Sequence, residues 1–280
     1  MHGWLDKRRS IRSLGYVLPL LILMLFAFDL PMLGVLAFSL SPPDVTLAAY
    51  REILETPSYL RIIGRTVGIA ALTTLICVAV AYPVAYWMRG LSARGRLLAV
   101  ALIVTPFWVS VLVRTYALIV LLGSAGIVNS ILLYAGLASK PIPFLYNTVG
   151  VTIGTVNALL PLAILPLFAA MARVDERLLQ AAATLGADEA TIFRRVLLPL
   201  TFPALATASI LVFSMTLGFY VTPAILGGGR VPMIVSLLDL FINRLPRWEL
   251  ACALSIGLMG IAVGGYCLSL GIGRPQREIR

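Results

Sequence analysis

Few residues in this chain are equipped for chemistry. Its one histidine is His2, its three cysteines Cys77, Cys252 and Cys267 show no metal-ligand spacing, and no apolar run holds paired carboxylates. Nucleophilic, acid–base and metal-assisted catalysis all need such constellations, so an intramembrane enzyme has nothing here to work with and no metal site is expected. The cysteines read as small packing residues, with no disulfide expected. Two ionisable residues stand out in apolar surroundings. Asp29 is the only acid well inside an apolar run: either a functional carboxylate, or a helix-packing group bonded to the backbone broken at Pro31. Arg114 follows Arg96 by 18 residues, which places it near an outer interface where its stem can snorkel. Its role is structural or gating. The remaining chemistry is that of an interaction surface, in a polar island at residues 173–199. Asp175 can cap a helix that carries Leu178, Ala182 and Leu185 on one face, Gly186 stops it, and Asp188 caps a second short helix from Glu189 to Val196. Pro199 then opens the next apolar run from a position that tolerates a missing N–H. The spacing predicts a helix-turn-helix at the inner membrane surface.

The elements that carry these residues are membrane spans. With 280 residues, 60% hydrophobic and 12% charged, and a mean hydropathy of +0.98, the chain is too apolar for a soluble domain. Arg65 and Arg89 bracket 23 uncharged residues, and Glu249 and Arg274 bracket 24, each one span long. The runs of 32 and 34 between Lys140 and Arg173 and between Arg195 and Arg230 each hold one span plus a Pro-bearing approach segment. The expectation is an all-α polytopic membrane protein. Its single transmembrane domain, 14–273, has six helices at about 14–40, 66–88, 97–120, 148–171, 200–222 and 250–273, with tails 1–13 and 274–280. Lys7, Arg8 and Arg9 precede the first apolar stretch as they would in a signal peptide. That stretch, however, runs past Asp29 and Pro31 to Leu40 without a small-residue cleavage site, so it reads as a retained span. With the N-terminus inside, 14 basic residues fall in cytoplasmic segments and 7 in outer ones. This obeys the positive-inside rule, and topology explains the net charge of +10 better than nucleic-acid binding does, with some attraction to anionic lipid. Gly-xxx-Gly pairs at Gly64/Gly68, Gly150/Gly154 and Gly260/Gly264 suit close helix packing. Gly227, Gly228 and Gly229 allow tight turns after Pro223, and the segment Val231 to Phe241 reads as a short re-entrant or surface helix.

The polar island also has a distinctive spacing. Ala181, Ala182, Gly186, Leu198 and Pro199, with Val196 in the apolar slot and Ala187 after the glycine, fit the pattern of the cytoplasmic "EAA" loop in permease subunits of binding-protein-dependent ABC importers. Gln180 stands where that family usually has Glu. Two further segments, Pro106 to Ala117 and Leu217 to Gly229, resemble the spermidine/putrescine permease group, so the likeness covers most of the chain from about residue 60 onward. The resemblance implies a type I ABC importer permease (MetI-like) fold in a bacterial inner membrane, with both termini cytoplasmic. It also implies that 173–199 is a coupling loop seated in a cytoplasmic ATPase dimer. ATP and Mg would be bound by that partner and no cofactor by this chain, which has no Gly-x-x-x-x-Gly-Lys loop and whose only lysines are Lys7 and Lys140. The further partners implied are a second permease, homologue or copy, and a periplasmic solute-binding protein. A polyamine cargo would call for aromatic faces and oxygens along the path. Trp108, Phe219 and Tyr220 can supply the faces, with Ser110 and Thr222 beside them, unless the aromatics form an interfacial belt. Opines, amino acids and other small organic solutes are alternatives. A free-standing channel or carrier would have no use for a docking loop.

Overall fold

The computed structural model describes residues 18–40 and 45–272; the expected tails 1–13 and 274–280 lie outside them. Among the described residues, six helices are long and apolar enough to cross a membrane, as the composition requires, and there is no strand. In chain order the helices are α1 (Leu18–Ser39), α2 (Ala48–Glu55), α3 (Pro57–Arg89), α4 (Ala93–Val104), α5 (Val111–Leu122), α6 (Ile127–Tyr134), α7 (Thr148–Ala172), α8 (Glu176–Thr184), α9 (Glu189–Leu217), α10 (Val221–Gly227), α11 (Ile234–Asp239) and α12 (Trp248–Ile272). The chain divides into two compact units, one of Met1–Pro57 with Leu238–Gly257 and one of Ser58–Leu237 with Leu258–Arg280.

In the larger unit, α3, α7 and α9 make the core. Ala81, Ala85, Ala158, Ala163 and Ala208 let their backbones approach, while Cys77, Met88, Leu167, Met171 and Val212 fill the space between them. Lipid tails are as apolar as leucine, so such helices are held by close packing and interhelical hydrogen bonds. Two hydroxyl pairs cross this core, Thr73 to Thr155 at 3.0 Å and Tyr82 to Thr201 at 2.9 Å. Each such bond contributes about 0.6 kcal/mol. Pro161 and Pro166 lie inside α7 and Pro83 inside α3, positions that membrane-spanning helices tolerate better than soluble ones. In the smaller unit, Arg247 grips Glu52 through two bonds of 2.8 and 2.7 Å, and Tyr50 donates to Ser39 at 2.9 Å.

Several expectations need correction. The third span, expected as one helix over 97–120, is two 12-residue helices, α4 and α5, joined through a 3₁₀ turn at Thr105–Trp108. Each is about 18 Å long at 1.5 Å per residue, short of the ~30 Å hydrocarbon core. The stretch with the length and apolarity to cross is Val111–Tyr134, α5 with α6. Pro106 causes the break, because its missing N–H and its ring disrupt the turn before it. The second short helix of the polar island does not end at Val196, and α9 continues through Pro199 to Leu217. A π-turn at Phe193–Leu197, closed by the Leu198 N–H donating to the Phe193 carbonyl, widens the helix just ahead of the proline. Of the glycine pairs, only Gly150/Gly154 sits against close neighbours; a β-carbon at Gly64, Gly68, Gly260 or Gly264 would meet nothing within 4 Å. Cys77 packs in the core, but Cys252 is half-buried and Cys267 exposed, so packing within the chain accounts for the first alone.

Candidate functional site

The polar island forms two helices welded to the membrane core. Asp175 caps α8 by accepting from the Arg177 N–H at 2.9 Å. At its other end Gly186 takes φ +86°, a conformation only glycine adopts freely, and the Gly186 and Ala187 N–H groups donate to the carbonyls of Ala183 and Ala182 at 2.9 and 3.1 Å. Leu178 and Leu185 are 51% and 88% exposed, whereas Ala182 is half-buried, so the stripe they form is an open face. Gln180 and Ala181 are exposed beside it. Glu176, Leu179 and Gln180 border a cavity of about 400 Å³ whose other wall is the end of α3, namely Tyr86, Trp87, Arg89 and Gly90.

Phe193 anchors the second helix. Its ring meets Tyr82 edge-on at 5.6 Å and Tyr86 at 5.9 Å, both on α3, and Val196 is half-buried one turn later. Leu198 packs against the core cluster, and Pro199 is exposed. Sequence reasoning missed Phe193; the signal was an aromatic residue inside an otherwise polar segment.

Asp188 caps α9 by accepting from the Thr191 N–H at 3.2 Å. The Thr191 hydroxyl and N–H, with a smaller contribution from Arg194, hold its carboxyl below the usual carboxylate value. A lowered folded value means that the cap is at full strength above the ordinary carboxylate range and is lost as pH falls through the lower folded value. Asp188→Ala is therefore expected to reduce amide protection at residues 189–192 at neutral pH. Asp188→Asn should keep most of it and remove its acid sensitivity. Hydrogen-exchange protection factors measured across the acid range check this; equal protection in all three proteins would show that the cap does not hold the helix.

The second feature is a pair of helix interruptions, and these fall in the two segments singled out at 106–117 and 217–229. At the first, the Arg114 guanidinium donates to the Pro106 carbonyl at 3.5 Å, across the break. Trp108 stands 87% exposed, and Ser110 precedes α5 with no side-chain cap bond. At the second, Gly218 ends α9, Phe219 packs half-buried against the core, and Tyr220 is 37% exposed. The structure brings the two segments together through hydroxyls, with Thr115 and Thr222 3.3 Å apart and both buried. Thr222 thus packs between helices and does not face an open surface. Beyond α10, Gly228 at φ +53° lies under the Tyr146 ring, and Gly227 is buried against Val231 and Val151. Asp29 is exposed on α1 with no side-chain cap bond, so the expected bond to the backbone near Pro31 is not made.

Irregular backbone within apolar segments survives only where protein covers it or water reaches it. Among the described residues, six apolar helices long enough to cross a membrane carry two such interruptions, the architecture of a polytopic membrane protein. No family model matches the chain. It is 35% identical over 245 residues to the spermidine/putrescine transport system permease protein PotB of Haemophilus influenzae, covering 84% of this chain and 85% of that one. To the protein of the same name in Escherichia coli it is 31% identical over 213 residues, 76% of this chain and 77% of that one. Its fold matches the crystal structure of a bacterial ABC transporter involved in alginate import, with a TM-score of 0.79 at 17% identity over 99% of this chain and 100% of that one. The chain belongs to the permease family of ABC importers, as a membrane-spanning subunit.

Proposed function

We propose that this permease carries a polyamine such as spermidine or putrescine inward across a bacterial inner membrane by alternating access. In this reading a periplasmic binding protein delivers the solute, a cytoplasmic ATPase dimer binds ATP and Mg, and this chain binds no cofactor and performs no hydrolysis. The names of its 31–35% identical relatives support the cargo. The observation that carries the mechanism is mechanical. The second helix of the polar island is continuous with α9 and wedged by Phe193 against α3, so a push on α8, passed through the tight turn at Gly186, reaches two spans. The open face of Leu178, Ala181 and Leu185 supplies the surface for the ATPase, with 173–199 and both termini on the cytoplasmic side. Trp108 and Tyr220 offer exposed aromatic faces to the cation beside the two interruptions.

The test is to tag the chain, extract it gently and identify what co-purifies, then measure ATP hydrolysis with candidate ligands on the binding protein. Recovery of an ATPase and hydrolysis stimulated by spermidine are expected; recovery of the chain alone, stably folded, would point to a free-standing carrier. Gln180 can hydrogen-bond to the ATPase but cannot pair with a basic residue as Glu would. Gln180→Glu is therefore expected to leave uptake within about fivefold, since an exposed pair adds less than about 1 kcal/mol. A large loss would mean that the groove beside Arg89 has been rebuilt around the amide.

A further inference from the structure

We propose that the groove between α3, α9 and α12 is a phospholipid site, which takes one acyl chain of an anionic lipid and sets its headgroup against Arg194 and Arg195. The inference is independent of the cargo. The groove has a volume of about 500 Å³ and lies wholly within the larger unit, walled by Leu75 and Val78 of α3, Phe202, Ile210 and Phe213 of α9 and Leu268 of α12. Its three hydroxyls, on Thr74, Ser209 and Ser269, donate within their own helices to the carbonyls of Ala70, Leu205 and Tyr266 at 2.7, 2.8 and 2.7 Å. What is left is a lining of carbon with no hydroxyl proton to give, which would cost any solute its hydration without replacing it. Hydrocarbon suits it, since an empty space of this size forfeits the contacts of every atom around it.

Dimensions decide which hydrocarbon enters. On α9 the groove runs from Phe202 to Phe213, about 16 Å at 1.5 Å per residue, which is the depth of one leaflet of a ~30 Å hydrocarbon core. A volume of about 500 Å³ over that length leaves a mean cross-section of about 30 Å². A helix about 10 Å across needs about 80 Å², so a neighbouring span is too wide to enter, whereas a single acyl chain fits. Charge then decides the headgroup. Two turns back from Phe202, about 10 Å beyond the groove, the same face of α9 reaches Arg195, and the extra residue of the π-turn at Phe193–Leu197 brings Arg194 to it as well. Both arginines are exposed, Arg194 acts weakly on the Asp188 carboxyl, and among the described residues neither forms a salt bridge. A phosphate at the membrane surface would meet two guanidinium groups there.

The experiment uses the complete importer, purified through a tag on this chain and placed in bilayers containing phosphatidylglycerol with a photoactivatable acyl chain, or phosphatidylcholine with the same chain. After illumination, adducts are expected on residues 71–78, 202–213 and 265–269 at about tenfold the density found on other exposed spans. Replacing Arg194 and Arg195 by Gln should lower phosphatidylglycerol labelling by about fivefold for each arginine and leave phosphatidylcholine labelling unchanged. Ala206→Phe puts a ring into the groove from α9 and should abolish its adducts; Ala71→Phe does the same from α3 if the first variant fails to accumulate. Adducts spread evenly over the exposed spans, or persisting in both filled variants, would show surrounding lipid only and overturn the inference. A groove left unlabelled in the parent would mean that a protein segment covers it, with the same consequence. Equal labelling by the two lipids, unmoved by the arginine substitutions, would overturn the assignment of the headgroup.

Discussion

Phe193→Ala is expected to separate ATP hydrolysis from transport. Its ring is half-buried against the core cluster and edge-on to two tyrosines of α3, at 5.6 and 5.9 Å. Edge-to-face pairs are worth about 0.5–1.5 kcal/mol each beyond burial. Full burial and truncation of a phenylalanine costs about 3–5 kcal/mol, so a half-buried one should cost about 2 kcal/mol. That is too little to prevent six spans from inserting, but it removes the aromatic contact through which α9 bears on α3 beside the Tyr82–Thr201 hydroxyl pair. The exposed face of α8 would be untouched, so the ATPase should still bind and hydrolyse while uptake per ATP falls by about tenfold, the equivalent of 1.4 kcal/mol. Phe193→Tyr keeps the ring and should stay within a few-fold. The measurement is the ratio of solute uptake to ATP hydrolysis in vesicles, with pull-down of the ATPase as the control for docking. An unchanged ratio in Phe193→Ala would show that motion reaches the spans through the continuous α9 helix without the aromatic wedge.

What the sequence made legible follows from how each feature is encoded. Spans are read from charge, because an ionised side chain in hydrocarbon is expensive wherever it falls, and the count of six holds among the described residues. The caps were legible too, since Asp175 and Asp188 act through local bonds to N–H groups two and three residues on. Interruptions were harder. Pro106, Pro161 and Pro199 all lie in apolar runs, yet only Pro106 sits in a break, while Pro161 is held inside α7 and Pro199 is carried past by a π-turn. The outcome depends on which neighbours resatisfy the freed carbonyl, and that is tertiary information. The same limit applied to Thr222. Its type and place near Tyr220 suit a path residue, but the hydroxyl of Thr115, 107 positions away, draws it into the interior. Glycine spacing likewise does not say which pair meets a neighbour.

Gly154 gives the sharpest steric prediction because its opposite wall cannot yield easily. A β-carbon there would collide with the Leu226 side chain and come within 2.6 Å of the Thr222 methyl. Leu226 is fully buried and Thr222 nearly so, with the latter held by Thr115. Two effects oppose each other in Gly154→Ala. Helix propensity favours alanine by about 0.8–1 kcal/mol, and overpacking costs about 1–3 kcal/mol, so the net is a loss of about 1 kcal/mol. In Gly154→Leu the propensity gain is no larger, while three more carbons must enter the same space. That variant should lose more than about 3 kcal/mol or fail to accumulate. The displaced Thr222 would also release the bond that joins the two interruptions, so any Gly154→Leu protein that does fold should transport poorly. Gly68→Ala is the matched control, because its β-carbon meets nothing within 4 Å; there propensity acts alone and stability should hold or rise. Thermal unfolding of the purified permease in detergent orders the three variants. Equal melting of Gly154→Leu and the parent would mean that α10 can move away from α7, and that the hydroxyl pair does not fix the distance between the two broken segments.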